Sequence, residues 1–381
     1  MISRELEQFI KTNELANYSD ILNAAGEFGE KELTKYDKNN IKVGVKALIK
    51  EGFVSASFPE GYGGLGLPYS VSIFAIDVLA SYSAGITLGA AIHNTCCEGI
   101  RIFGNEEQKK EYLGDLLNGN KIAAFSLTEP NHGSDVGKYL DTKAVLENDN
   151  YTINGSKMFI TNGSIADVYF LFAKTDKGHS AFIVDRETNG LTTGKNLEKL
   201  GMENSVTNEI SLENCLVPKE NLVGEEGQAG NYFKQMLNSG RVTIAAISNG
   251  IAQKAYNKSL RYSKERVQFG KPISEYQLIR ERLANMLTKL DAGRAMTYYV
   301  ARLKELDLDF SQKAAETKIF SSTNTDEISK EAILLHGGAG YLDETGIHEC
   351  LRDNLLCIIG EGTNDILKLL IAQKALKEQS L

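Results

Sequence analysis

The chain has 381 residues, of which 42% are hydrophobic and 24% are charged, a composition typical of a soluble globular protein with two or three domains. Its formal net charge of −8 at pH 7 argues against a nucleic-acid-binding protein, because such proteins carry a basic surface. No apolar run is long enough to span a bilayer, so no membrane association is expected.

The N-terminal sequence and the cysteines bear on localisation. The first twenty residues are interpreted as an amphipathic helix with Ile2, Leu6, Phe9 and Ile10 on one face, and they lack the apolar core of a secretion signal. The five cysteines show no metal-ligand spacing, and no metal site is predicted: Cys96, Cys97, Cys215, Cys350 and Cys357. An odd count without a secretion signal predicts reduced thiols and a cytoplasmic protein.

Hydrophobic periodicity divides the chain into three parts. Residues 1–119 carry apolar residues at helical spacing, broken by the glycine-rich segment Pro59–Pro68, which is interpreted as a loop. Residues 120–226 contain short strand-like runs, with Asn-Gly turn signals at Asn154-Gly155 and Asn162-Gly163. Residues 227–381 return to a helical pattern, with three long helices and one short final helix predicted, which indicates a bundle.

Two segments of the middle part could contact a planar ligand. In Ala124–Asp135, hydroxyls and free backbone N–H groups follow the end of a predicted strand, an arrangement suited to a polar ring or a phosphate. In Gly155–Gly163, Phe159 and Thr161 alternate on a strand and therefore share a face. Taken alone, the first segment is more simply interpreted as a capped turn, and the second can be an ordinary half-buried strand.

Two further segments lie in the C-terminal part. Arg266 follows a predicted helix and offers a guanidinium fork for a pyrophosphate, although a basic residue is also favoured there by the helix dipole. Gly337 and Gly338 form a glycine turn without the preceding strand of a dinucleotide-binding motif. His132 and His336 are interpreted as loop histidines without a role.

The segment Ile358–Ile366 contains Glu361 between Gly360 and Gly362, just before an apolar helical run. Small neighbours allow a ligand to approach the backbone closely. A carboxylate held there against Ile358 and Ile359 would be suited to act as a general base. A solvated loop glutamate is the simpler interpretation of this segment taken alone.

Taken together, these segments resemble the acyl-CoA dehydrogenase family of flavoproteins over nearly the whole length. The similar blocks are SLTEPNHGSD, YTINGSKMFITNG, EKLGM, CLVPKENLVGEEGQ, SGRVTIAAISNGIAQ, RYSKERVQFGKPI, GGAGY, LRD and EGTNDI. The resemblance implies an α+β chain with a helical N-terminal domain (1–119), a middle β-barrel or sandwich domain (120–226) and a C-terminal four-helix bundle (227–381). It also implies a homotetramer.

The resemblance implies FAD as cofactor, placed between the β domain and the bundle. The residues implied to contact FAD within one subunit are Phe125, Leu127, Thr128, Ser134, Phe159, Thr161 and Thr363. Those implied to reach the FAD of a neighbouring subunit are Arg266, Gln268, Phe269, Gly337 and Gly338.

Glu361 matches the catalytic glutamate of the family, which removes the α-proton of an acyl thioester while a β-hydride passes to flavin. Its backbone N–H and an FAD ribityl hydroxyl are implied to polarise the thioester carbonyl. A minority of members carry this base where Gly240 stands here. Arg241 is implied to support the floor of the active site, and Ser134 and Gly360 to lie beside the substrate.

This sequence departs from the family at four places. Phe159 replaces a tryptophan, Gly360 replaces a tyrosine, Leu334 replaces a glutamine, and the loop after Asp135 is one residue longer. Gly360 and this longer loop leave the identity of the acyl group and of its carrier open.

We consider three hypotheses for the function. The first is dehydrogenation of a short- or medium-chain acyl-CoA, with an electron-transferring flavoprotein as acceptor and oxygen as an alternative. The second is dehydrogenation of an acyl group on a carrier protein in natural-product or extender-unit biosynthesis. The third, nucleic-acid binding with little dehydrogenase activity, conflicts with the acidic charge and with Glu361.

Overall fold

The computed structural model describes Lys11 and residues 14–378. The amphipathic helix predicted around Ile2, Leu6, Phe9 and Ile10 lies outside the described residues. Among those described, no helix is both long and apolar enough to cross a membrane.

The N-terminal part is helical, as its periodicity predicts. Its helices are α1 (Ser19–Lys31), α2 (Ile41–Lys50), α3 (Tyr69–Ala80), α4 (Ala84–Phe103) and α5 (Glu106–Leu117). Helix α3 is mostly apolar and is buried along almost its whole length. Helix α5 begins at a capping box, in which Asn105 and Gln108 each bond the other's backbone N–H, as such a sequence favours. Pro59–Pro68 forms the expected loop, with one short 3₁₀ turn.

The middle part is one eight-stranded sheet. Its strands are β1 (Ala123–Ser126), β2 (Lys143–Glu147), β3 (Asn150–Thr161), β4 (Val168–Thr175), β5 (Gly178–Asp185), β6 (Leu191–Thr193), β7 (Thr207–Pro218) and β8 (Leu222–Val223). The order is β6-β7-β3-β2-β4-β5-β8, and β1 pairs in parallel with β4. Two strands separate β3 from β5 in this order, yet the rings of Tyr151 on β3 and Phe182 on β5 pack with their centroids 4.9 Å apart. This contact shows that the sheet curls.

One turn predicted in this part is wrong. Asn154-Gly155 lies inside β3, where the register against β7 shifts at a β-bulge. Gly155 has φ +149°, and a Cβ there would lie 2.6 Å from the Cα of Thr142. The glycine is therefore required by a bulge and a close backbone approach. The second signal does form a turn, and Asn162 adopts φ +67°.

The C-terminal part contains five helices among the described residues, not the four predicted. They are α6 (Ala229–Glu265), α7 (Gln277–Glu305), α8 (Ser311–His336), α9 (His348–Ile359) and α10 (Asn364–Glu378). A two-stranded hairpin, β9 (Val267–Gln268) and β10 (Lys271–Pro272), joins α6 to α7. The extra helix, α9, precedes Glu361, so the glutamate lies between two helices.

A hydrophobic core extends from α1–α4 into α6, α7 and α8, so the N-terminal helices and the bundle pack as one body. A second cluster joins α4, α5 and the start of α6 to strands β1, β4 and β5. Helix α6 therefore contacts all three parts of the chain. The predicted α+β architecture is confirmed.

Candidate active site

Glu361 lies in the four-residue connection between α9 and α10. It has φ +55° and Gly362 has φ +87°, so two successive residues of this connection are left-handed. A left-handed conformation is unfavourable for glutamate by about 1 kcal/mol or more. The surrounding structure must therefore impose it.

The carboxylate of Glu361 lies against α6 at Gly240. A Cβ built on Gly240 would lie 2.4 Å from Oε2 and 2.8 Å from Cδ of Glu361. Although the residue as a whole is partly exposed, its Oε2 atom is buried and has no hydrogen-bond partner among the described residues. Gly240 thus provides the space that the carboxylate occupies.

The pKa of Glu361 is raised to about 7, because burial disfavours the charged carboxylate more than the nearby Arg241 and Lys318 favour it. The predicted apolar wall is only partly present, since Ile359 is 60% exposed. A carboxylate with a pKa near neutrality and an unpartnered oxygen can accept a proton at physiological pH.

Arg241 supports the backbone of the glutamate. Its Nε donates to the Glu361 carbonyl oxygen at 3.3 Å and its Nη1 to Oδ1 of Asn238 at 2.7 Å. Its side chain is largely buried, which lowers its pKa. Arg241 therefore brings a positive charge to the site while it contacts the main chain of Glu361.

The sequence analysis missed Lys318 on α8. Its Nζ donates to the carbonyl oxygens of Ile358 and Gly362 and to Oδ1 of Asn364, each at 2.9 Å. The lysine is fully buried. The sequence carried no signal that could have identified it, because a lone lysine in a helical segment is ordinarily assigned to the surface.

Two predicted flavin segments are adjacent in the structure. The Met158 N–H donates to the Thr128 carbonyl oxygen at 2.8 Å, which joins the chain after β1 to the end of β3. Leu127 is buried, and Phe125 packs edge-on against Phe172. Phe159 is 65% exposed and has φ +60°, and Thr161 ends β3. An exposed aromatic ring in a strained conformation fits a flat ligand that covers it.

A buried ion pair supports this region and was also missed by the sequence analysis. Oε1 of Glu129 lies 2.7 Å from Nζ of Lys157, and both side chains are fully buried. The backbone N–H groups of Asp141 and Thr142 also donate to Glu129. The loop with Ser134, which is exposed, is therefore anchored at both ends.

Glu129, His132 and Asp141 place oxygen or nitrogen atoms within 4.8 Å of one another. The oxygens of Glu129 already accept bonds from Lys157 and from two backbone N–H groups. His132 lies beside Asp135 and Asp141, and these contacts raise its pKa. This cluster is therefore explained by contacts within the protein.

The remaining cofactor candidates lie at one end of the bundle, where the His336 ring stacks on Tyr262 at 4.3 Å. His336 is buried at the end of α8, so its interpretation as a loop histidine is wrong. Arg266 and Gln268 are exposed, as are Gly337 and Gly338. Phe269 is 94% exposed with φ +50° at the tip of the hairpin.

Gly360 and Thr363 lie in the same connection as the glutamate. Gly360 has φ −68°, a conformation open to any residue. The Thr363 hydroxyl accepts the Ile366 N–H at 3.3 Å and so caps α10.

Three family models match the chain. The N-terminal, middle and C-terminal domains of acyl-CoA dehydrogenase match residues 16–120, 124–215 and 229–376. The chain belongs to the acyl-CoA dehydrogenase family, whose members are oxidoreductases. This membership confirms the predictions of family, enzyme class and flavoprotein character.

Relatives and solved structures agree with this assignment. An acyl-CoA dehydrogenase of Bacillus subtilis is 40% identical over 86% of this chain and 88% of the relative. The CarC subunit of the caffeyl-CoA reductase-Etf complex of Acetobacterium woodii is 34% identical over 93% of this chain and 97% of the relative.

Among solved structures, butyryl-CoA dehydrogenase from Megasphaera elsdenii has a TM-score of 0.90 and 37% identity, and the match covers 94% of this chain and 97% of that one. The prolyl acyl carrier protein oxidase AnaB has a TM-score of 0.89 and 31% identity, covering 95% and 99%. An acyl-CoA dehydrogenase from Bacillus anthracis, complexed with FAD, has a TM-score of 0.90 and 32% identity, covering 96% and 67%.

Proposed function

We propose that this protein catalyses the FAD-dependent α,β-dehydrogenation of an acyl thioester, with Glu361 as the base. The buried, unpartnered Oε2 of Glu361 carries the proposal. Leaving a buried carboxylate oxygen without a partner is costly for folding, which is understandable where that oxygen must accept a proton from a ligand.

The proton step follows from the surroundings of Glu361. The α-proton of a thioester is weakly acidic, and Oε2 receives it to give a neutral carboxylic acid, the form that burial favours. The backbone N–H of Glu361 donates to the thioester carbonyl oxygen and stabilises the negative charge that develops there. Arg241 holds the main chain of Glu361 in place for both roles.

The residues fit FAD on the side of the β domain. Phe125, Leu127, Thr128 and Ser134 would line the flavin, and Phe159 and Thr161 would cover its other side. Thr363 would contact it beside the base. The bound FAD supplies the two-electron redox chemistry, while the protein orients the substrate and excludes water.

The proposed substrate is a short- or medium-chain acyl-CoA, as the similarity to butyryl-CoA dehydrogenase supports. Ser134 and Gly360 would lie beside it. The similarity to a subunit of an Etf complex supports an electron-transferring flavoprotein as the acceptor.

Exposed Phe269 and the Gly337-Gly338 turn support a homotetramer. In this assembly, these residues together with Arg266 and Gln268 would reach the FAD of a neighbouring subunit. We also propose domain boundaries at residues 119/120 and 226/227, and a cytoplasmic location.

A second substrate class is an acyl group on a carrier protein. The similarity to AnaB, which acts on prolyl acyl carrier protein, favours it. Gly360 also leaves space beside the base where the family often has a tyrosine.

A substrate panel read by bleaching of the flavin tests both. The FAD-loaded protein is mixed anaerobically with short- and medium-chain acyl-CoAs and with the same acyl groups on carrier protein. Bleaching by acyl-CoA supports the first class, and bleaching by carrier-bound substrates alone supports the second. A correctly folded protein that cannot be loaded with FAD would exclude both.

A further inference from the structure

The connection that carries Glu361 is held by one buried ammonium group. The three acceptors of Lys318 are Ile358 O, Gly362 O and Asn364 Oδ1, and they bracket Glu361 on both sides in the sequence. The lysine itself lies on α8, 40 residues before Ile358. It is therefore not part of the connection, yet it fixes both of its ends.

The buried position of Lys318 is suited to an ammonium group. Burying an ammonium group is expensive unless its donors are satisfied, and here each of its three N–H groups has an acceptor. The Ile358 carbonyl lies in the last turn of α9, where backbone carbonyls lack helical partners and carry partial negative charge. Burial lowers the pKa of Lys318 to about 8, so the ammonium form predominates at neutral pH.

Lys318 also affects the charge state of Glu361. The groups that interact electrostatically with the carboxylate are Arg241 from α6, Lys318 from α8 and Cys96 from α4. The Cys96 thiol is neutral, because burial raises its pKa well above its usual value. Two positive charges therefore oppose the effect of burial on Glu361, and Lys318 contributes one of them without contacting the carboxylate.

We propose that Lys318 is a positioning residue for catalysis: it holds the left-handed connection at Glu361 and Gly362 and its charge favours the ionised base. The inference rests on the proposed role of Glu361. It differs from a purely structural role, because a structural lysine would affect stability without affecting the proton affinity of Glu361.

Two variants separate charge from geometry. Lys318→Met keeps the length of the side chain but removes the charge and the three donors. Asn364→Asp keeps Lys318 and places a carboxylate 2.9 Å from its Nζ, so it offsets the charge while it retains the contact. The control is Thr325→Val on the same helix, which removes one buried hydrogen bond to the Ser248 carbonyl and does not touch the connection.

The proton affinity of Glu361 is read by infrared titration of its protonated carboxyl band, assigned by its loss in Glu361→Gln. We expect both test variants to raise this pKa by about half a unit to one unit and Thr325→Val to leave it unchanged. Rapid-mixing flavin reduction across pH is the second readout. At high pH, Asn364→Asp should recover the wild-type rate, and Lys318→Met should stay at least about tenfold slower, because its base is misplaced.

An unchanged Glu361 pKa in both test variants, or in Asn364→Asp alone if Lys318→Met does not fold, would overturn the inference. So would a wild-type rate for Lys318→Met at all pH values. The infrared readout needs no substrate, and it therefore stays valid if no thioester reduces the wild-type flavin, a result that would count only against the proposed function.

Discussion

Gly240 offers the sharpest test of the geometry, because a single methyl group there must move the base. In Gly240→Ala, the new Cβ would start 2.4 Å from Oε2 of Glu361. An ordinary contact is about 3.5 Å, so the carboxylate must shift by about 1 Å. A misplacement of that size can lower a catalytic rate by about 10²-fold. In contrast, alanine is favoured over glycine within a helix by about 1 kcal/mol.

The expected result is therefore an enzyme that is at least as stable as wild type and about 100-fold slower in flavin reduction. Thermal unfolding and rapid mixing with a thioester measure the two quantities. Gly230→Ala is the matched control, since it lies on the same helix and a Cβ there has no atom within 4 Å. A Gly240→Ala enzyme within about threefold of wild type would refute the assigned position of the carboxylate.

Three further predictions test the pocket, the assembly and the pH response. Gly360→Tyr should lower kcat/KM for bulky thioesters more than for butyryl thioester, and equal losses would mean that Gly360 does not shape the pocket. Sedimentation should show a tetramer, or at least a dimer, and a fully FAD-loaded active monomer would contradict the role of Arg266 and Gly337-Gly338. The rate of flavin reduction should fall as pH decreases through about 7, where Glu361 becomes protonated. A rate that does not change between about pH 8 and pH 5 would contradict the assignment of Glu361 as the base.

The local sequence was sufficient to predict the order of helical, β and helical parts but not helix α9, and it singled out Glu361 as a candidate base only together with the other similar blocks. Helical periodicity is a local signal, and a glutamate between two glycines before an apolar run is visible without a structure. Asn154-Gly155 misled the prediction, because the same dipeptide serves a turn or a bulge, and only the approach of Thr142 decides between them.

The rest of the site depends on contacts between distant parts of the chain. Gly240 and Glu361 are far apart in sequence, and the glycine could be predicted only as a position without a base. Its role in providing space is visible only when α6 meets the connection before α10. Lys318 and the Glu129–Lys157 pair were missed for the same reason, since a lone charged residue in a periodic segment is ordinarily assigned to the surface.

The central claim is that Glu361 is the base, and rapid-mixing reduction of the bound flavin in Glu361→Gln tests it most directly. Glutamine is nearly isosteric, so FAD binding should be unchanged, but it cannot accept the α-proton at neutral pH. Removal of a general base typically costs about 10²–10⁴-fold, and we expect a loss at or above the upper value, because Gly240 leaves no second carboxylate. A Glu361→Gln enzyme that is reduced within about tenfold of the wild-type rate would contradict the account.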